Sequence, residues 1–177
     1  MHWQSYHRKL LALAETGETL TTSQQAVCEF LHQAIEDYQQ RINLWGSPGV
    51  GKTFLAHYLH YCAEGLYFFS PENCPSTEIS PNSVVIVDNA PSGRSLARST
   101  FGNVLWAGAS SVILVTRQPI DDAVWRIELA LTDRDRAQLE GVMRKLFAHL
   151  PLDKVCDFKH YRSGIWERLK VLAEHSL

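Results

Sequence analysis

Between residues 46 and 53 the chain reads Gly46-Ser47-Pro48-Gly49-Val50-Gly51-Lys52-Thr53, and no other run constrains the fold as much. The spacing fits G-x-x-x-x-G-K-[ST], in which small residues let backbone N–H groups curl around phosphate groups. Lys52 would then bring positive charge to the β- and γ-phosphates, and the Thr53 hydroxyl would be a ligand for Mg²⁺. The apolar run Ile42–Trp45 stands before the loop, and Phe54, Leu55, Tyr58, Leu59 and Cys62 follow it at helical spacing. A strand-to-helix junction is the setting such a loop needs, because the helix N-terminus carries partial positive charge that favours an anion.

The rest of the chain fits an α/β layout around that junction. Short apolar runs at Ile42–Trp45, Leu66–Phe69, Val84–Val87, Val112–Val115 and Ile127–Leu131 alternate with helical stretches at 52–63, 94–106 and 133–148. Such runs, rich in β-branched and aromatic residues and separated by helices, predict buried strands of a mostly parallel sheet. In the 94–106 helix Leu96, Phe101, Val104 and Leu105 mark the apolar side, and Thr132 with Asp135 opens the next helix. Two amphipathic helices are expected before the first strand. One covers 3–15, with Trp3, Tyr6, Leu10 and Leu13 on one side and Gly17 at its stop; the other opens at Thr22 with Gln25 at capping-box spacing. In the second, Val27, Phe30, Leu31, Ala34, Ile35 and Tyr38 form a core-facing stripe. The proline-bearing stretch 71–83 has no helical period, so the crossover there is expected to be reduced or irregular. A last helix is expected at 163–175. These elements divide the chain into N-terminal helices at 1–40, a nucleotide-binding core at 41–150 and a C-terminal helical segment at 151–177, all in one compact unit.

Composition sets the outer bounds. The 177 residues, 45% apolar and 20% charged, suit one globular domain with a sizeable core. A formal charge of -2 gives no global attraction to nucleic acid or anionic lipid, so any such contact needs a local patch. Cys28, Cys62, Cys74 and Cys156 form no close pair of the kind a zinc site or thioredoxin-like motif uses, which favours free thiols in a reducing cytosol. No signal peptide is evident at the N-terminus, and the apolar runs are far shorter than the roughly 20 residues that span a bilayer. The expectation is a cytoplasmic protein without a membrane partner.

A second polar feature follows from the first. A phosphate-bound Mg²⁺ calls for a carboxylate beside the threonine hydroxyl, and Val84-Val85-Ile86-Val87-Asp88 ends an apolar strand in one. Asn89 comes next, and an amide cannot take a proton from an attacking water. Hydrolysis is therefore expected to be slow unless Asp121, Asp122 or a partner supplies a base. The run Ser111–Arg117 ends a third strand in Thr116 and Arg117, near where a γ-phosphate would lie if the strands end at one sheet edge. Arg94, Arg98 and Arg126 are further candidate contacts to phosphate or a partner.

Three blocks, Gly46–Thr53, Val84–Ala90 with its Asp-Asn-Ala ending, and Val112–Arg117, together resemble the STAND class of signal-transduction ATPases, and within it the NB-ARC nucleotide-binding module. The resemblance spans about residues 40 to 132 and implies a P-loop NTPase three-layer sandwich with strand order 5-1-4-3-2. It further implies ATP or ADP with Mg²⁺ at the C-terminal strand ends, with Lys52, Asp88 and Arg117 as the catalytic set and Thr53 and Asp88 on the metal. Nucleotide contacts would run from Gly46 to Thr53 and include Thr116. Leu150-Pro151-Leu152 is reminiscent of the family block whose proline touches adenine, with His149 in place of its glycine. The class alternates between ADP-bound resting and ATP-bound assembling forms. Without a winged-helix or repeat-sensor segment, this chain is expected to act as a weak ATPase subunit with a separate effector or sensor, or by self-assembly.

Two other functions stay open at this stage. The stretch from Asn43 through Ala56 also resembles small AAA+-like ATPases that act on DNA or load a helicase, which usually keep an acidic pair where this chain has Asp88-Asn89. A nucleotide or small-molecule kinase would need an arginine-rich lid, and none is evident. ATP is preferred to GTP because of the family resemblance and because no guanine-reading Asn-Lys-x-Asp block occurs.

Overall fold

The computed structural model describes residues 3–37, 39–62, 65–74, 79–80 and 83–146. Their elements run α1 (Trp3–Thr16), α2 (Thr22–Glu36), β1 (Gln40–Trp45), α3 (Lys52–Cys62), β2 (Leu66–Phe68), a 3₁₀ turn (Pro71–Asn73), β3 (Val84–Val87), α4 (Arg94–Trp106), β4 (Ser111–Thr116), β5 (Trp125–Glu128) and α5 (Asp133–Leu146). The strands form one five-stranded sheet in the order β2-β3-β4-β1-β5, every pair parallel. This is the expected order read from the other edge.

Strand periodicity sorts the apolar side chains into two cores, because neighbours along a strand face opposite sides of the sheet. On one face Ile42, Leu44, Ile86, Ile113 and Val115 pack with Leu31 of α2 and Leu55 and Leu59 of α3. On the other, Val85, Val87, Val112 and Leu114 pack with Ala97, Phe101 and Val104 of α4. The result is a three-layer α/β sandwich. β4 lies at its centre and is buried at all six positions, which its unbroken apolar run requires. α1 packs on α3 from outside.

The differences from expectation are local. β5 begins at Trp125, not at Ile127, and pairs Ile42↔Trp125 through Trp45↔Glu128. As an edge strand it alternates half-buried and exposed residues, so its pattern is not the apolar run by which the interior strands are found. The ladder still reaches Leu129, whose N–H donates to the Trp45 carbonyl at 2.8 Å. β2 stops at Phe68, and Phe69 is exposed. The capping box of α2 is Thr21 with Gln24, one residue earlier than expected: Thr21 is extended, its Oγ1 accepts from Gln24 N–H, and Gln24 Oε1 accepts from Thr21 N–H. Phe30 and Leu96 lie on the stripes of α2 and α4 yet are 55% and 60% exposed, since those stripes are wider than the surfaces facing them. Between β2 and β3 the described residues contain only the 3₁₀ turn, in line with the irregular crossover expected there. Tyr38, Pro151 and the 163–175 helix lie outside the described residues.

The first turn of α5 is tied to the first turn of α2 by one buried carboxylate. Asp135 accepts from Ser23 N–H at 3.0 Å, Ser23 Oγ at 2.6 Å, Thr132 N–H at 2.8 Å and Thr132 Oγ1 at 2.5 Å. Burial works against its charge, but the donors from Ser23 and Thr132 outweigh it and hold the carboxyl well below the usual range.

Candidate functional site

Parallel strands with their C-terminal ends at one edge bring β1, β3 and β4 together at a topological switch point, where open α/β sheets form crevices. There Pro48, Gly49, Lys52, Thr53, Asp88, Asn89, Ala90, Pro91, Ser92, Val115, Thr116 and Arg117 line a cleft of ≈ 450 Å³. The fold thus gathers the lysine, the threonine, the strand-end carboxylate and the Thr116-Arg117 pair into one concavity, although they lie far apart in sequence.

The loop from Gly46 to Gly51 turns from β1 into α3 through backbone conformations that favour glycine. Gly46, Gly49 and Gly51 have φ of 153°, 83° and 91°. A Cβ on Gly46 would collide with the Leu129 carbonyl oxygen, and one on Gly51 with the buried Gln24 side chain of α2. The capping residue Gln24 therefore also backs the loop, which its place in the sequence did not suggest. Among the described residues, the N–H groups of Gly49 and Gly51 donate to no backbone carbonyl, while Pro48 and Gly49 form a tight turn. Exposed peptide donors at a helix N-terminus form a nest for an anion, and the first turn of α3 carries no acidic residue to compete with one.

Lys52 is half-buried and turned onto the loop, donating to the carbonyls of Gly46 at 2.8 Å and Ser47 at 2.9 Å. Burial lowers the pKa of its ammonium; Asp88 opposes that shift and Arg117 adds to it. Thr53 is exposed at the start of α3. Asp88 is only 2% exposed, and both its oxygens are engaged: Oδ1 accepts from Asn89 N–H at 2.8 Å and Oδ2 from the Tyr67 hydroxyl at 3.0 Å. Asn89 sits in the left-handed region at φ 48°, which asparagine tolerates better than most residues, and its amide donates to the Phe69 carbonyl at 3.1 Å.

Thr116 is buried and committed within the chain. Its hydroxyl donates to the Gln118 carbonyl at 2.6 Å and accepts from Asn43 Nδ2 at 2.8 Å. Asn43, fully buried in β1, also donates to the Leu114 carbonyl at 3.0 Å and accepts from Ile120 N–H at 2.8 Å. One amide thereby pins the end of β4 and the turn that carries exposed Arg117. The remaining candidates stand elsewhere. Asp121 and Asp122 do not line the cleft; they face Arg126 and Arg94, each at 3.8 Å. Arg94 and Arg98 border a shallow depression on α4 together with Ser95 and Ser99. Pro151 lies outside the described residues.

Thr53 and Asp88 offer hard oxygen ligands beside the loop, the donor type Mg²⁺ takes. Among the described residues, no group of three or more His, Cys, Asp or Glu could hold a metal by itself. Mg²⁺ would thus depend on phosphate oxygens for the rest of its coordination, as it commonly does.

The three-layer sandwich, its strand order and the loop between β1 and α3 make the P-loop NTPase α/β fold expected from the sequence. Two solved structures share it: the replication initiator DnaA bound to AMPPCP and single-stranded DNA, and AMPPCP-bound DnaA from Aquifex aeolicus. The first is 13% identical over 92% of this chain and 64% of its own, with a TM-score of 0.57. The second is 13% identical over 85% and 60%, with a TM-score of 0.51. The chain thus spans less than two thirds of the length of either. No protein-family model and no curated protein matches it.

Proposed function

We propose that this chain binds ATP and ADP with Mg²⁺ in the cleft at the β1, β3 and β4 ends and acts as a nucleotide-dependent switch for protein assembly. The observation that carries the reading is the convergence of Lys52, Thr53 and Asp88 on one cleft beside a glycine-built anion nest. Lys52 exchanges its two carbonyl partners for β- and γ-phosphate oxygens, and Thr53 and Asp88 hold the metal. Both similar DnaA structures contain AMPPCP, an adenine nucleotide analogue, which supports the choice of ATP. Hydrolysis is slow or partner-dependent: Asn89 cannot serve as a base and bonds to Phe69, and Asp121 and Asp122 lie outside the cleft. Arg117 stands where it reports on the terminal phosphate, and Pro151 is retained as an adenine contact on family resemblance alone. Slow turnover with distinct bound states suits a switch in the cytoplasm, acting on an effector, a sensor or further copies of itself.

A second reading, an AAA+-type ATPase acting on DNA, draws on two observations. One similar structure is bound to single-stranded DNA, and Arg94, Ser95, Arg98 and Ser99 give α4 an exposed strip of guanidinium and hydroxyl groups. Such a strip binds phosphates with strong salt dependence.

Calorimetry with ATP and ADP in Mg²⁺, on wild type and Lys52→Ala, tests the main reading, with elution volume recorded in each nucleotide state. The expected result is binding that weakens at least about tenfold in the variant, since a charge-assisted phosphate contact is lost, and an ATP-dependent increase in size. Equal binding by the two proteins would refute the site. Binding without a size change, together with salt-sensitive DNA binding, would select the second reading.

A further inference from the structure

Tyr67 lies on the edge strand β2, outside the loop and the strand-end motifs, yet it touches both elements that carry the proposed metal ligands. Its register explains how. Tyr67 pairs with Ile86, and the ladder runs on through Phe68↔Val87 to the Asp88 N–H, which donates to the Phe68 carbonyl at 2.8 Å. Asp88 therefore lies two residues beyond the partner of Tyr67, on the same face of the sheet, within reach of a tyrosine but not of a shorter side chain. The hydroxyl meets Asp88 Oδ2 at 3.0 Å. On that face the Tyr67 ring lies against His57 of α3, centroid to centroid 4.1 Å and tilted 32°. His57 is one helical turn after Thr53, so Tyr67 links the helix bearing the hydroxyl ligand to the strand bearing the carboxylate.

We propose that Tyr67 is a positioning residue for the metal half of the site: its hydroxyl fixes the Asp88 carboxylate while its ring, packed on His57, sets the distance from that carboxylate to Thr53. The inference rests on the nucleotide reading above. Asp88 Oδ1 is held by the Asn89 N–H, so with Tyr67 on Oδ2 the carboxylate cannot rotate, and its remaining lone pairs point in a fixed direction.

The test is nucleotide affinity measured with excess Mg²⁺ and again with EDTA, on the full chain, for wild type, Tyr67→Phe, Asp88→Asn and the double variant. Tyr67→Phe keeps the ring on His57 and removes only the donor. It is expected to reduce the Mg²⁺-dependent gain in ATP affinity by about ten- to hundredfold, the scale of a lost hydrogen bond to a charged group, with the EDTA affinity unchanged. In the Asp88→Asn background the same substitution should have no further effect. If Tyr67→Phe keeps the wild-type Mg²⁺ gain, or lowers affinity equally with and without metal, the inference is wrong while the nucleotide site stands. If wild type binds ATP in neither condition, the nucleotide reading falls and this inference with it. Thermal unfolding of each variant identifies a misfolded protein, and Tyr67→Leu, which likewise carries no donor, then replaces Tyr67→Phe with the same expected loss of the Mg²⁺-dependent gain.

Discussion

Replacing Asn43 by alanine removes a side chain that makes three hydrogen bonds in a site with no access to water. The three partners do not lose equally. Leu114 belongs to a central strand whose carbonyls also serve the sheet ladder, and Thr116 keeps its own bond to Gln118. Ile120 N–H is left with no acceptor while Ile120 itself stays buried at 1% exposure. Stranding a buried donor costs about 1–3 kcal/mol, and losing a neutral hydrogen bond to Thr116 adds roughly 0.5–1.5 kcal/mol. The expected total is about 1.5–4.5 kcal/mol, a large share of the 5–15 kcal/mol typical of a domain. Urea unfolding of wild type and Asn43→Ala would show it as a lower midpoint at unchanged slope. The same loss frees the turn after β4, so ATP affinity should fall even where the variant remains folded, and Arg117→Ala should weaken ATP binding less in Asn43→Ala than in wild type. A stability loss below about 1 kcal/mol would mean that water or a shifted backbone satisfies Ile120, and the amide would not be the pin described here.

Asp135→Asn should destabilise the protein by about 1.5–3 kcal/mol at pH 7, because four donors face a carboxylate there. The folded carboxyl titrates below its unfolded value near 3.9, so its contribution is present above that pH and is lost as the pH falls below it. Denaturation midpoints of the two proteins should therefore converge between about pH 4 and pH 2, and a constant gap across that range would contradict the assignment. Gly51→Ala should abolish ATP binding in the same calorimetric assay and cost at least about 1 kcal/mol in stability, since the new Cβ meets Gln24 at a φ of 91°; full binding by this variant would show that the loop conformation is not required.

What could be read in the sequence was what is local. The loop announced itself because its glycines, lysine and threonine are contiguous and sit between a strand pattern and a helix pattern. Val84–Val87 and Val112–Val115 were legible because interior parallel strands are buried on both faces. The edges were harder. Trp125–Glu128 alternates with an exposed arginine and glutamate, and nothing in four residues tells an edge strand from an ordinary polar turn. The cap of α2 slipped by one because Thr21-Thr22-Ser23 precedes Gln24-Gln25, so two registers satisfy the same rule and only backbone conformation separates them. Asn43 in an apolar strand looks like an interruption until its partners appear more than seventy residues away. Tyr67 gives no signal in the sequence because its role depends on a strand pairing.

These long-range contacts bear on turnover as well as on binding. In a fast triphosphatase the group that activates water must be free to accept a proton and must stand at the terminal phosphate. Here several polar groups of the cleft already have partners inside the chain. The Asp88 oxygens are taken by Asn89 N–H and Tyr67, the Asn89 amide by Phe69, and the Thr116 hydroxyl by Gln118 and Asn43. Lys52 is the exception, because its partners are carbonyls of the loop itself and a phosphate replaces them at little cost in geometry. Among the described residues the cleft is lined by no carboxylate besides Asp88, so on the nucleotide reading proposed above it holds a charged ligand with no second acid beside it to serve as a base. A base brought by another molecule to the open side, beside exposed Arg117, is the change that would turn holding into hydrolysis, and this is why partner-dependent turnover fits these residues better than an autonomous ATPase does.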